Sequence, residues 1–544
     1  MRWCGSARVR NPEDQMRAAT RMLVMTLTRL VLALAIFGMP SASRGQEAKP
    51  KPNDDVKSKQ ERIENGIEPV ELGNGQEPAK LSLAELMKLY KDPGLTVAVI
   101  DGYKIAWTKA YGTTDLGGKA PVTTKTLFQA GSISKPVAAT GMLALVQAGK
   151  LSLDEDVNLK LKTWKVPENE FTKEQKVTLR RLASHTAGLT VHGFPGYDVD
   201  EKVPTIVQIL NGEKPVANTP EIRVDFVPGT KWRYSGGGVT IEQLAMTDVS
   251  GKPFPTLMKE TVLDKIGMSD SSYEQPLPAA WAARTAVGTY ASGKSVHGKW
   301  HVYPEMAAAG LWTTPTDLAK FVIEIALSKQ GKSNKVLAQK TVDEMFTHPP
   351  SAPDFGIGIG LAANRPGEFG HDGADEGFQA MLTMNAETGQ GIAIMANSDN
   401  GIAVGVEYLH SVAKEYGWKY GGGARSDAQQ MVLIAALKGA DAVLQRYDEL
   451  KNSPDPKKRP EEYVLNMIGY RVFMQSDKAA EALKVFARNA QEFPSSSNVY
   501  DSLAEAYAAV GRKELAIENY EKSLKLDPKN EHAKEELKKL QGEK

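Results

Sequence analysis

The chain has 544 residues, of which 41% are hydrophobic and 24% charged, with 67 basic against 66 acidic side chains for a net charge of +1. Its length predicts more than one domain, and its composition is that of an ordinary globular protein. The near-neutral balance gives no support for nucleic-acid binding. The single cysteine, Cys4, excludes a disulfide framework, a cysteine-based zinc site and a thiol nucleophile in the folded body.

Taken in chain order, Arg17, Arg21 and Arg29 precede an apolar run from Leu30 to Phe37, then Gly38, Pro40 and the small residues Ser41, Ala42 and Ser43. This order of charge, apolar run and small residues predicts a secretory signal over residues 1–43, cleaved near Ala42 or Ser43, with Met16 or Met22 as alternative starts. The run is short for a spanning helix. Export to the periplasm or the exterior is therefore expected, with an uncleaved membrane anchor as the alternative. Residues 44–80 are rich in Lys, Glu, Pro, Asn and Gly and poor in large apolar groups. They predict a disordered tether, because they bury too little surface to offset ordering entropy.

A folded domain is expected over residues 81–418. A short helix from Ser82 to Tyr90 leads into a β-rich stretch, Leu95 to Gly112, whose halves meet at Asp101-Gly102 as in a hairpin. Thr126 to Gly131 then approaches a helix that runs from Lys135 through Val137, Leu143 and Val146 and closes at Gly149; Pro136 suits its first turn. Helices and loops fill residues 136–345. Strand-like runs return at Gly356–Leu361, Gly377–Met384 and Gln390–Ala396. The glycines at 356, 358 and 360 do not match a phosphate-cradling loop and mark a strand with close backbone approach. Strands at both ends with helices between predict an α+β fold, one antiparallel sheet assembled from distant segments and flanked by helices.

A composition break at Gly421-Gly422-Gly423 opens a linker and helix over residues 419–460, and an all-α domain is expected over 461–544. There Phe473, Ala482, Phe486 and Pro494 recur as Tyr507, Ala516, Tyr520 and Pro528, each 34 residues on. That offset and those residue types are those of tetratricopeptide repeats. Helical flanks near 427–451 and 531–541 are expected to cap the array. Such a fold presents a concave surface, so a protein or peptide partner is the natural occupant; structural padding is the alternative.

The chemistry starts from Ser-x-x-Lys, which occurs at Ser132/Lys135 and Ser411/Lys414. This spacing puts a hydroxyl and an amine one turn apart on one helix face. An amine within reach turns a weak alcohol into a nucleophile. The second pair lies in an amphipathic run, 404–416, with no further apparatus, and reads as a surface helix with a solvated lysine. The first pair opens a helix, where unpaired N–H groups favour developing negative charge. Tyr234-Ser235-Gly236 and His371-Asp372-Gly373 follow it, adding a second proton carrier and a sheet edge. No cofactor is implied. His297 and His301 stand four apart, but Gly298 lies between them and no carboxylate does, so no metal site is expected.

The ordered set Ser132/Lys135, Tyr234 and His371-x-Gly373 resembles the serine hydrolase superfamily of class C β-lactamases, penicillin-binding proteins, D-aminopeptidases and related esterases. Segments Leu182 to Leu189, Pro228 to Ser235 and Ala308 to Leu318 support the resemblance, which covers roughly residues 82 to 415. It implies a β-lactamase-like sheet packed on a helical lobe, with the site at their seam. It further implies Ser132 as the acylated nucleophile, with Lys135 and Tyr234 sharing the proton transfers; either could serve as base. Backbone N–H groups of Ser132 and Ala374, beside Gly373, would form the oxyanion hole.

Two departures bear on substrate. Where β-lactamases of this type carry Tyr-x-Asn, this chain has Gly236, so an amide donor is missing. Where they carry Lys-Thr-Gly, it has His371-Asp372-Gly373, with Asp372, Asp375 and Glu376 adding negative charge. Like charges about 4 Å apart cost roughly 4 kcal/mol at an effective dielectric near 20, so an anionic substrate is disfavoured and β-lactamase activity is expected to be weak or absent. The expected function is an exported serine hydrolase acting on a small ester or amide, with esters ahead. The alternatives are a D-amino-acid peptidase or amidase, whose substrate ammonium the local acids could hold, and a non-catalytic scaffold acting through the repeats.

Overall fold

A computed structural model describes residues 55–73, 75–363, 365–419 and 425–542, so the expected signal segment and the glycine run at 421–423 lie outside the described residues. Two compact units are present: one comprises Asp92–Tyr290 and Lys294–Leu409, the other chiefly residues 55–91 and those from His410 onward. The boundary therefore falls inside a helix, before the expected break near 418, and the short helix Leu83–Leu89 counts with the second unit.

In the first unit, Gly94–Asp101 (β1) and Lys104–Gly112 (β2) form the expected antiparallel hairpin. Its two turn residues, Gly102 and Tyr103, have φ of 56° and 63°, the pair of positive angles whose twist matches the flanking strands. Phe128–Gln129 (β3) and Trp312–Thr313 (β4) make a separate two-stranded pair. Gly360–Leu361 (β5), Glu368–Asp375 (β6), Phe378–Asn385 (β7) and Gly391–Ala396 (β8) complete the main sheet. Its order is β2-β1-β8-β7-β6-β5, with every pair antiparallel. The amino-terminal hairpin thus docks on the last strand, Leu95 opposite Ala396, and the helical lobe is the excursion between them.

Helices cover both faces of the sheet. Leu318, Phe321, Val322 and Ile325 of the helix Pro315–Lys329 share an apolar cluster with Ala98, Ile100, Leu382, Met384, Ala393 and Met395. Each large aliphatic or aromatic side chain so buried contributes about 1.5–3 kcal/mol. On the other side runs the helix Gly401–Tyr416, where Tyr408 meets the Tyr111 hydroxyl at 2.8 Å. In the lobe, the helix Ser134–Gln147 is buried continuously from Ser134 to Leu143, the mark of a helix enclosed on all sides.

One strand expectation is corrected. Of Gly356–Leu361 only Gly360–Leu361 pairs, because Gly358 (φ 70°) turns the chain against the helix instead, where a Cβ would lie 2.3 Å from that of Ala139. The consequence reaches the site. β5 pairs with β6 only at Gly370 and Phe369, so among the described residues no strand covers the outer edge of His371–Asp375.

The second unit is helical: Asp427–Lys438, Ala440–Lys451, Glu462–Ile468, Ala479–Glu492, Ser497–Ala509, Lys513–Leu526 and Glu531–Gln541 follow one another. The helices Ala479–Glu492 and Lys513–Leu526 begin and end 34 residues apart. Phe473, Ala482, Phe486, Ala516 and Tyr520 are buried, while Tyr507 is half-buried.

The disordered tether is corrected as well, over residues 55–80. Val56–Asn65 is a helix capped by Asp55, and Ile63, Ile67 and Val70 are buried. Composition misled because specific partners offset the ordering entropy. Ser411 donates to the Ile63 carbonyl, Arg62 pairs with Glu415 at 2.7 Å, and Arg425 donates to the carbonyls of Glu68 and Pro69. Ser411, the serine of the second Ser-x-x-Lys pair, is thereby a buried anchor, while Lys414 is exposed as expected.

Candidate active site

The site begins with a backbone contact that two glycines permit. Gly131 (φ 51°) opens a 3₁₀ turn, Gly131–Ile133, that passes directly into the helix Ser134–Gln147. A Cβ on Gly131 would lie 2.4 Å from the Ala374 nitrogen, and one on Gly373 1.9 Å from the Ala130 carbonyl oxygen. The turn carrying Ser132 therefore lies against the uncovered edge of β6, at a separation only glycine allows.

One helical turn on from Ser132, Lys135 Nζ lies 3.0 Å from Ser132 Oγ. Both residues are buried, at 8% and 3% exposure. Lys135 also donates to the Ala308 carbonyl at 2.7 Å. That carbonyl belongs to the short helix Met306–Ala309, which Gln243 holds by accepting from the Ala307 amide and donating to the Pro304 carbonyl. The carbonyl end of a helical turn suits a cation.

Tyr234 lies just before the helix Gly236–Ser250, whose cap Ser235 accepts from the Gly238 amide and donates to the Thr190 carbonyl. The Lys135 nitrogen stands 5.0 Å from the centre of the Tyr234 ring. The phenolic oxygen meets His371 Nε2 at 3.4 Å. His371 Nδ1 faces the Asp372 carbonyl at 2.5 Å, and a carbonyl can only accept. Assigned from these partners, the neutral ring carries its proton on Nδ1 and offers the Nε2 lone pair to the Tyr234 hydroxyl.

Gly236 occupies the place where an amide donor is expected in related enzymes. A Cβ there would meet Phe194 at 3.0 Å and the His192 carbonyl at 3.1 Å, and the Gly236 amide donates to that same carbonyl. The segment 190–194 thus packs closely on Gly236, and even a Cβ would require it to give by a few tenths of an ångström.

Four further rings surround Tyr234 that the motif reading assigned no role: His185 at 4.2 Å between centroids, His192 at 4.9 Å, and Trp232 and Phe355 at 6.4 Å. His185 and Trp232 lie inside segments the resemblance had marked, which was the available signal. Nothing in sequence pointed to His192 or Phe355, since they arrive from separate loops. His297 and His301 engage acidic partners, Asp200 at 3.4 Å and Asp198 at 3.0 Å respectively.

The local charge differs from expectation at one residue. Asp372 is half-buried and burial pushes its carboxyl up to about 7, so it does not supply a full negative charge at neutral pH. Asp375 and Glu376 are buried beside it in sequence, and after burial itself they are the causes that raise the Tyr303 phenol. Glu305, fully buried, is pushed up to about 8 by burial and then by Asp375.

A beta-lactamase family profile matches residues 82–415. The chain is 24% identical over 373 residues to a beta-lactamase of Pseudomonas fluorescens, a match spanning 60% of this chain and 94% of that one. It is 25% identical over 353 residues to an unguisins hydrolase of Aspergillus violaceofuscus, across 58% and 60% of the two chains. An esterase of Burkholderia gladioli is 26% identical over 201 residues, 33% of this chain and 46% of that one. Among solved structures, the octameric penicillin-binding protein homologue of Pyrococcus abyssi superposes with a TM-score of 0.51 at 21% identity, over 62% of this chain and 76% of that one, which is a likeness of fold. With 82–415 matched and the β-lactamase-like sheet and lobe in place, the chain belongs to the beta-lactamase family of serine hydrolases.

Proposed function

We propose that the protein is an exported hydrolase that forms an acyl-enzyme on Ser132 and hydrolyses small uncharged esters, with amides as slower substrates. The observation that carries this reading is the buried 3.0 Å contact between Ser132 Oγ and Lys135 Nζ, set at the open edge of β6. Lys135 takes the Ser132 proton as the oxygen attacks the carbonyl, and the amides of Ser132 and Ala374 receive the oxyanion. Tyr234 passes a proton to the leaving group and then takes one from the deacylating water. His371 Nε2 accepts from the phenol and so orients the Tyr234 hydroxyl until its proton is passed on.

The substrate class follows from what grips and what does not. No lysine stands at position 371, and Gly236, against which loop 190–194 packs closely, has no side chain, so the two contacts that hold an anionic β-lactam in related enzymes are both missing. The half-buried Trp232 and His192 offer apolar and aromatic surface instead. The names of the Burkholderia esterase and the Aspergillus hydrolase support acyl transfer outside β-lactams.

The test is a burst of p-nitrophenol from p-nitrophenyl acetate, followed by intact-mass analysis. Ser132→Ala should lose at least about 10³-fold in kcat and the acetyl mass on its peptide. Equal turnover in that variant refutes the proposal. Export is part of the same reading and predicts a mature terminus near Ala42 or Ser43. The helices from Glu462 to Gln541 are read as tetratricopeptide repeats that bind a protein or peptide.

A further inference from the structure

His185 is a buried imidazole that the proposed proton transfers do not use, and its backbone is placed against preference. The helix Leu179–Ala183 ends with the Thr186 amide donating to the Arg181 carbonyl at 2.8 Å and the His185 amide to that of Leu182 at 3.2 Å. This double closure puts the residue after the cap in the left-handed region, a position where glycine is usual. Here it is His185, at φ 59°. A side chain kept at such a position points to a use for that side chain.

The use lies at Tyr234. The His185 carbonyl accepts from the Arg233 amide at 2.9 Å, and His185 Nδ1 accepts from the Ser235 amide at 3.2 Å. One residue thus holds the chain on both sides of Tyr234. Its ring also lies against the phenol, 4.2 Å between centroids at an interplanar angle of 38°, and Phe355 packs against it at 4.8 Å. We infer that His185 is a positioning residue for the proposed hydrolysis: by gripping both neighbours of Tyr234 and stacking on its ring, it sets where the phenolic oxygen stands relative to Ser132 and His371.

The clamp works only with a neutral ring, since a proton on Nδ1 would face the Ser235 N–H. Burial lowers the His185 proton affinity well below the usual range. The charged and titratable groups facing it act the same way: Lys135 from the nucleophile helix, His371 from β6 and His192 from loop 190–194. The tautomer follows, with the proton on Nε2, which has no hydrogen-bond partner among the described residues.

The inference rests on the hydrolase reading, and two substitutions separate them. His185→Gly supplies the residue that the helix end prefers but removes the ring. His185→Asn tolerates the left-handed backbone and places Oδ1 where Nδ1 accepts. With p-nitrophenyl acetate, H185G should lower kcat by roughly 10–100-fold with KM nearly unchanged, and H185N should recover most of the loss, as expected for misplacement of a reacting group. In the unaltered protein, ¹⁵N spectra of the imidazoles should keep the His185 proton on Nε2 from about pH 5 to 9, although free histidine titrates inside that window. A wild-type burst that H185G matches overturns this inference alone, as does an equal loss in H185G and H185N or a His185 that titrates normally. Absence of a Ser132-dependent burst in the wild type overturns the hydrolase reading and this inference with it.

Discussion

Gly373→Ala is the most direct probe of the seam between the sheet and the nucleophile. Its Cβ would stand 1.9 Å from the Ala130 carbonyl oxygen and 3.3 Å from the Ile133 nitrogen. Ordinary contact begins near 3.4 Å, so β6 or the 3₁₀ turn must retreat by about 1.5 Å. The atoms it would meet belong to the backbone, with no flexible side chain to give way, so the strain falls on the contact itself. Overpacking of this kind costs typically 1–3 kcal/mol of stability. The effect on activity should be larger in proportion, because the Ala374 amide moves away from the Ser132 amide. Loss of one such donor lowers kcat by about 10²–10³. Gly405→Ala is the control: it lies in the helix Gly401–Tyr416, its Cβ would meet Ile394 at an ordinary 3.5 Å, and a helical glycine-to-alanine change gains about 0.5–1 kcal/mol. The assay is kcat and KM on p-nitrophenyl acetate beside urea unfolding at pH 7. If G373A keeps kcat within about threefold of wild type while G405A behaves as stated, the two amides do not form the oxyanion site and the reasoning fails.

Two other expectations follow from the same geometry. His371→Ala should lower kcat about 10²-fold, because the Tyr234 hydroxyl loses its acceptor. A kcat left within about threefold of wild type in that variant would show that the His371 contact does not serve the reaction. Stability should fall with rising pH on account of Glu242 and Glu305, which burial pushes up to about 8 in the folded chain. The sign is set by the neutral carboxyl being the native form: the contribution is intact below the unfolded value near 4.5 and is lost as pH rises towards 8. Glu305→Gln cannot ionise, so relative to wild type it should gain on the order of 1–3 kcal/mol between pH 5 and 8. A pH-independent difference in urea melts would contradict this.

The sheet was legible because its strands carry local signals. Asp101-Gly102 marks the hairpin, and the runs around 378–385 and 391–396 lie within a residue of their observed bounds. The nucleophile helix was legible for the same reason, through Pro136 at its start and Gly149 beyond its end. What escaped was set by tertiary partners. Residues 55–80 read as a tether because their few apolar groups looked insufficient, yet Ser411, Glu415 and Arg425 supply hydrogen bonds and an ion pair that composition cannot reveal. The site was partly legible: Ser132 and Lys135 are one turn apart by spacing alone, whereas Tyr234 and His371 meet across 137 residues of chain. The charge at Asp372 was misjudged because burial, which sequence does not display, raises its carboxyl to about 7.

The site follows from how β6 ends its pairing. An uncovered strand edge exposes backbone donors and acceptors and invites association with other chains. Here the pairing of β5 with β6 stops at Gly370, and the next stretch, His371–Asp375, is met by the 131–133 turn instead of a strand. The glycines at 131 and 373 that allow this contact weaken both elements locally, but they bring a strand edge beside the amino end of a helix, where donors are already unpaired. On the proposed reading, a carbonyl entering that gap would meet the amides of Ser132 and Ala374 and the Ser132 oxygen in one place. The side chains proposed to adjust protons approach from the other elements: Lys135 from within the helix, Tyr234 from just before the helix Gly236–Ser250, and His371 from the strand itself. On the same proposal, substrate preference would be set by the residues lining the gap, where the bare Gly236 and an imidazole in place of an ammonium would favour neutral acyl groups over anionic ones.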